Sequence, residues 1–166
     1  MSSGTCTCVT TQADPSRRVD WAGPTMTVRS CISARQMETW AHGQALFDAL
    51  GKCRVEQDRI KNIAIMGINT FAWTFTNRGL EAPRLKPFVK LTAPSGMIWE
   101  WNERSDENRL EGTAVDFCRV VTQTRNVSDT GLRAAGETAI QWMAHAQCFA
   151  GLPEPPPAAG TRFAFG

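Results

Sequence analysis

Apolar positions set the first element. From Val28 onward they recur at Ile32, Met37, Trp40, Ala41, Phe47 and Leu50, a broad stripe at helical spacing. Thr25 or Thr27 can cap its start and Gly51 stands where a C-terminal glycine belongs. The pattern predicts one long helix, about 24 residues or about 36 Å at 1.5 Å per residue. Asp58 is placed to cap a second helix running to about Asn77, with Ile60, Ile63, Ala64, Gly67, Ile68, Phe71, Ala72 and Phe75 inward. The short connection predicts that the two pack antiparallel.

After Pro83 the period changes to two. Phe88–Thr92 and Met97–Trp101 read as strands joined by a turn at Pro94-Ser95-Gly96. Arg109–Gly112 is a short strand leading into a helix from Thr113 to about Arg125. Leu132–Gly136 is a last strand, and Glu137–Phe149 a last helix with Ile140, Trp142, Met143 and Ala146 inward. The expected class is α+β: a helix pair over 19–79, then an antiparallel sheet of about four strands with helices on one face over 80–152. Residues 1–18 are polar and aperiodic and are expected to be disordered, with a turn or short extended piece over 19–24. Residues 153–166 open on Pro153-Glu154-Pro155-Pro156-Pro157 and are expected to form a flexible tail.

Composition narrows the function classes. The 166 residues are 42% hydrophobic and 20% charged with a formal charge of +2, ordinary values for a folded domain without a basic stripe. Nucleic acid is therefore not an expected partner. No apolar run approaches the length of a membrane span, and the first residues lack a secretory signal, so a cytoplasmic location is expected. The six cysteines are scattered and read as reduced thiols, with Cys6-Thr7-Cys8 the only close pair.

The chemistry concentrates on the first helix. Glu38 and His42 are four residues apart, which stacks a carboxylate and an imidazole on one face, a turn from each other. So placed, they can grip one divalent cation, or form a surface ion pair. With Cys31, Arg35 and Ala49 they make a second row, suited to lining a cleft. A useful metal centre wants three protein ligands and an open position, and the sequence does not obviously hold the third. His145 is the only other histidine. Arg125 either complements a helix C-terminus or holds a substrate carboxylate in a bidentate pair. Trp99 and Trp101 share a sheet face and belong to the core or to an apolar pocket wall.

Trp21-Ala22-Gly23-Pro24-Thr25-Met26 and the run Ala34 to Gln44, with Leu91–Gly96, Trp99-Glu100-Trp101, Asp116-Phe117-Cys118, Val121-Thr122-Gln123 and Ala146–Gly151, resemble the mycothiol-dependent maleylpyruvate isomerase superfamily. Its members join a DinB-like, metal-binding four-helix bundle to an α+β domain similar to sterol carrier proteins. The resemblance implies that the chain holds the last bundle helix and the C-terminal domain, a shortened form. It implies that Glu38 and His42 are ligands of a divalent ion, zinc-like, whose remaining ligand is a histidine on an earlier bundle helix. It implies a low-molecular-weight thiol of the mycothiol type as cofactor, a small anionic or carbonyl substrate, and Arg125 as a cleft-facing anion holder. The activity expected is that of a metal- and thiol-dependent isomerase or transferase. The alternative is a non-catalytic module that dimerises, or docks on a separate helical-bundle partner, through the apolar face left uncovered.

Overall fold

The computed structural model describes residues 14–21 and 23–162. The expectation of disorder over 1–18 lies outside these residues up to 13. From 14 onward it is corrected: Asp14–Arg17 make a turn that leads into a strand, β1 (Arg18–Trp21), paired antiparallel with β2 (Gly23–Thr27). The extended piece foreseen over 19–24 is thus a hairpin, and it feeds directly into the long helix.

That helix, α1, spans Val28–Ala49. Of the two proposed caps Thr27 is used: its hydroxyl accepts from the Ser30 N–H at 3.2 Å. Gly51, at φ +60, closes the other end as Lys52 N donates to Phe47 O and Gly51 N to Asp48 O, a Schellman pattern. The buried positions are Met37, Trp40 and Gln44, however, not the whole apolar stripe. Ile32, Leu46 and Leu50 stand 64%, 67% and 71% exposed. The stripe was too broad for one contact surface, and α1 meets the rest of the described chain along a single side.

The second helix is broken. Asp58–Ile60 form a 3-10 turn, α2 spans Lys61–Asn69 and α3 spans Phe71–Thr76. At Thr70 the side-chain hydroxyl donates to Met66 O at 2.8 Å and Gly67 O at 3.1 Å, competing with the backbone ladder. Asp58 does not cap. Its carboxylate accepts from Ser95 N and Ser95 Oγ, tying this turn to the sheet. Ala72 is exposed, while the other foreseen inward residues of α2 and α3 are buried. Gln36 Nε2 donates to Arg59 O, Asn62 Nδ2 to Gln36 Oε1, and Trp40 Nε1 to Glu56, so the partner residue number falls as α1 advances, and α1 and α2 run antiparallel.

The α+β half has a four-stranded sheet: β3 (Phe88–Thr92), β4 (Ile98–Trp101), β5 (Arg109–Thr113) and β6 (Arg133–Ala135), in the order β4-β3-β5-β6. It is mixed, not antiparallel as expected. β4 turns back beside β3, and the following loop returns the chain to the other side of β3. β5 therefore runs parallel to β3, with Val89 opposite Leu110. Val89, Leu91, Trp99 and Leu110 face the helices; Lys90 and Glu111 sit side by side on the other face. The edge-on contact of Trp99 with Trp101, 6.3 Å between ring centres, belongs to this packing.

Helix α4 spans Ala114–Val121: Thr113, foreseen as its first residue, is its N-cap, and it ends four residues short of Arg125. Thr122 returns its hydroxyl to Cys118 O, and Gln123 takes the left-handed conformation at φ +55, which stops the helix. Helix α5 spans Glu137–His145; Ala139, Trp142 and Met143 are its buried residues, and Ile140, foreseen as inward, is exposed. Phe117 and Phe71 both pack edge-on to Trp142, at 5.7 and 5.2 Å, so α3, α4 and α5 share a core that continues to Met37 and Trp40 of α1.

The Pro-rich end also differs from expectation. Among its described residues, Glu154 O accepts from Arg78 and Gln123, Pro157 O from Asn126, and Gly160 N donates to Asp129. Side chains of the body capture a backbone that proline keeps from pairing with itself, so the segment is strapped down through 162 rather than loose.

Candidate functional site

Two loops of interactions hold α1 against the body and leave its far side open. At the first, the Arg54 guanidinium crosses α1: Nε lies 3.2 Å from Glu56, Nη1 donates to Trp40 O, and the group sits 5.3 Å from the Trp40 ring. Glu56 in turn accepts from Trp40 Nε1 at 3.1 and 3.0 Å. At the second, Arg125 forks onto Asp48, with Nη1 to Oδ2 at 2.7 Å and Nη2 to Oδ1 at 2.6 Å, while Gln44 Nε2 donates to Oδ1 at 2.8 Å. Burial would push the Asp48 carboxyl up, but hydrogen bonds from Arg125 and Gln44 and the nearby charges of Arg125 and Arg119 outweigh it and hold the group below its ordinary value.

This second contact corrects the reading of Arg125. It neither ends a helix nor offers an open fork to a ligand. It is 5% exposed and grips a carboxylate of the chain itself. Asp48 and Gln44 were given no role in the sequence, although Gln44 follows the buried Met37 and Trp40 and the half-buried Asp48 comes one turn later; two polar residues on the inner side of a helix were the available signal.

Glu38 and His42 both lie on accessible ground. Glu38 is partly exposed and meets only the largely exposed Arg35, 3.4 Å away, a contact of the weak surface kind. His42 is exposed. Each borders its own depression. Glu38 stands over one of about 500 Å³ with Met26, Met37, Met66 and Phe149. His42 stands over one of about 830 Å³ with Asp48, Thr122, Thr124 and Arg162. Phe149 borders both, so the two hollows follow one another along α1.

As a metal centre the described residues fall short of a fit. Among them no group of three or more His, Cys, Asp or Glu is placed to hold an ion. His145 is exposed at the end of α5 and does not join Glu38 and His42 in such a group. Cys148 borders the hollow beneath Glu38, but burial pushes its thiol up to about 12, and burial with the neighbouring Cys148 and Glu56 raises Cys118 as well. Neither offers a thiolate at neutral pH. Cys31 is half-buried on α1. The described residues thus provide two donors on consecutive turns, in the open, one short of a catalytic tripod.

Two curated proteins are similar to the chain in sequence. They are uncharacterized proteins of Mycobacterium tuberculosis strains CDC 1551 and H37Rv, each 42% identical over 137 residues, which cover 82% of this chain and 53% of theirs. The chain therefore spans about half the length of the curated relatives it matches. No protein-family model and no solved structure matches it. No helix among the described residues is long and apolar enough to cross a membrane.

Proposed function

We propose that the chain is the part of a divalent-metal-dependent, thiol-using isomerase- or transferase-like protein that supplies two ligands, Glu38 and His42, and one wall of the cleft. The remaining donor comes from outside the described residues. The observation that carries this reading is the state of the pair itself. A carboxylate and an imidazole stand one turn apart on the uncovered side of α1, beside two hollows, with no part in holding the fold. Such a pair has little value to stability, a few tenths of a kcal/mol at most, so its arrangement is better explained by a ligand. The substrate class is a small anionic or carbonyl compound, the ion is zinc-like, and a mycothiol-type thiol places the reaction in the cytoplasm. Arg125 has no role toward substrate in this reading; it positions α1 through Asp48.

The test is zinc uptake by the whole chain with Cys6 and Cys8 replaced by serine, read by equilibrium dialysis. Glu38→Ala and His42→Ala alter accessible side chains and should fold. Each is expected to weaken binding at least about tenfold. Equal binding by parent and variants overturns the reading.

A second reading, a non-catalytic interaction module that docks on a helical partner, is favoured by Ile32, Leu46 and Leu50 standing exposed in one α1 sector. It predicts no dependence of partner binding on zinc or on His42.

A further inference from the structure

The hollow beside His42 has two unlike walls. One is α1, pinned to the body through Arg125 and Arg54. The other is the Pro-rich segment, which lends Glu154, Pro155, Pro157, Thr161 and Arg162 to the lining. The body holds the chain as far as Phe149. The carbonyl of that residue accepts from Trp73 Nε1 at 3.3 Å and Gln147 Nε2 at 3.4 Å, and its side chain packs against the core. At Gly151 the backbone takes φ +129 with open space around it. Beyond this point Leu152 is 83% exposed, and no described residue after Phe149 belongs to the hydrophobic core. Hydrogen bonds from the body to the backbone hold the segment at three places. Gln147 Nε2 donates to Leu152 O at 3.1 Å and Gln147 Oε1 accepts from Glu154 N at 3.1 Å, while Gln123 and Arg78 both donate to Glu154 O. Asn126 donates to Pro157 O at 2.9 Å. Asp129 accepts from Gly160 N at 2.9 and 3.0 Å.

We infer that residues 152–162 are a gate on this hollow, a strap that swings as one unit about Gly151 and uncovers the floor at Thr122–Thr124 when it opens. Three observations meet in it. The strap is fastened by hydrogen bonds with almost no buried apolar surface, the condition under which a segment opens at a fraction of the cost of global unfolding. Prolines at 153 and 155–157 fix φ and stiffen an extended run, so the inner and outer fastenings are released together and not residue by residue. The firm hold up to Phe149 and the left-handed, unobstructed glycine two residues later place the pivot between a fixed body and a movable strap. Thr122, Gln123 and Thr124 are buried in the closed state, and the strap lies over them through the Gln123–Glu154 and Asn126–Pro157 bonds and through Arg162 Nη1, which reaches Gln123 O at 3.4 Å. A ligand in the hollow touches both walls and so favours the closed strap. The inference concerns access to the hollow and stands apart from the ion at Glu38 and His42.

The experiment is amide hydrogen exchange, read by NMR, on the 166-residue chain and its Asp129→Ala variant. In the parent the Glu154 and Gly160 amides are expected to share one opening equilibrium and to exchange faster than the amides of α4 and α5. Asp129→Ala removes the charge-assisted bond at Gly160. Exchange at Glu154, which makes no bond to Asp129, is then expected to speed up at least about tenfold, the worth of one such bond, with α4 and α5 unchanged. Faster exchange confined to Gly160 overturns the motion as a unit. Exchange at Glu154 only in step with the core amides overturns the gate. Thr124→Cys reports on the floor: its alkylation, located by mass spectrometry, is expected to rise at least about tenfold when Asp129→Ala is added, while the buried Cys118 stays unreactive. Unchanged alkylation at position 124 together with faster exchange at Glu154 means a strap that moves without opening the hollow, and this too overturns the gate.

Discussion

Replacing Arg125 by methionine tests how α1 is held. The substitution keeps length and apolar bulk but removes both donors to Asp48, whose side chain is only 17% exposed. What remains at that carboxylate is Gln44 at 2.8 Å and the more distant charge of Arg119. Removing one member of a buried pair typically costs about 3–5 kcal/mol, mostly because the other charge is stranded. Asp48 keeps some access to water, so the lower end applies, about 3 kcal/mol. For a chain of this size each kcal/mol shifts the midpoint by about 2–4 °C, and the expected fall in Tm is about 6–12 °C. The double variant with Asp48→Asn should recover much of that loss, because no charge is left behind. Urea unfolding of the parent, two single variants and the double variant gives the coupling directly. A coupling below about 1 kcal/mol, the value of an exposed pair, would refute the argument that this contact fixes α1.

The same carboxyl makes stability pH-dependent. Its folded value lies below the ordinary one, so its contribution is full above about pH 4 and is lost as pH falls through the folded value; Asp48→Asn should flatten that acid limb of the urea midpoint. Gly67→Ala would drive a methyl to 2.9 Å from Phe117 Cε1 and 3.0 Å from Val121, where α2 crosses α4, and should cost about 1–3 kcal/mol by calorimetry. Trp40→Phe removes the indole donor to Glu56, whose carboxylate is almost fully buried; a loss of about 1.5–3 kcal/mol in urea is expected, with Glu56→Gln partly restoring it.

Most elements were legible because their signals are local. Thr27 caps and Gly51 closes α1, and period-two runs mark β3 and β4, all decided within a few residues. The departures were decided at a distance. Nothing within β5 says which side of β3 it will join, so the parallel pairing was not readable. Ile32, Leu46 and Leu50 continue an apolar pattern, but what covers a helix is settled by elements elsewhere. Arg125 shows the limit at the site: a lone arginine suggests an anion, and only the fold reveals that the anion is Asp48, 77 positions away in the chain. Glu38 and His42 needed no fold to be noticed, since four-residue spacing on a helix suffices. The fold adds that both stand on the open side, and that no third donor joins them among the described residues.

The central claim is that Glu38 and His42 hold an ion together. Anomalous diffraction at the zinc absorption edge, on crystals of the chain grown with equimolar zinc, tests it most directly. The account predicts a peak within coordinating distance, about 2.0–2.2 Å, of both the Glu38 carboxylate and the His42 imidazole. A peak confined to cysteine sulfur or to His145, with none at this pair, would contradict it.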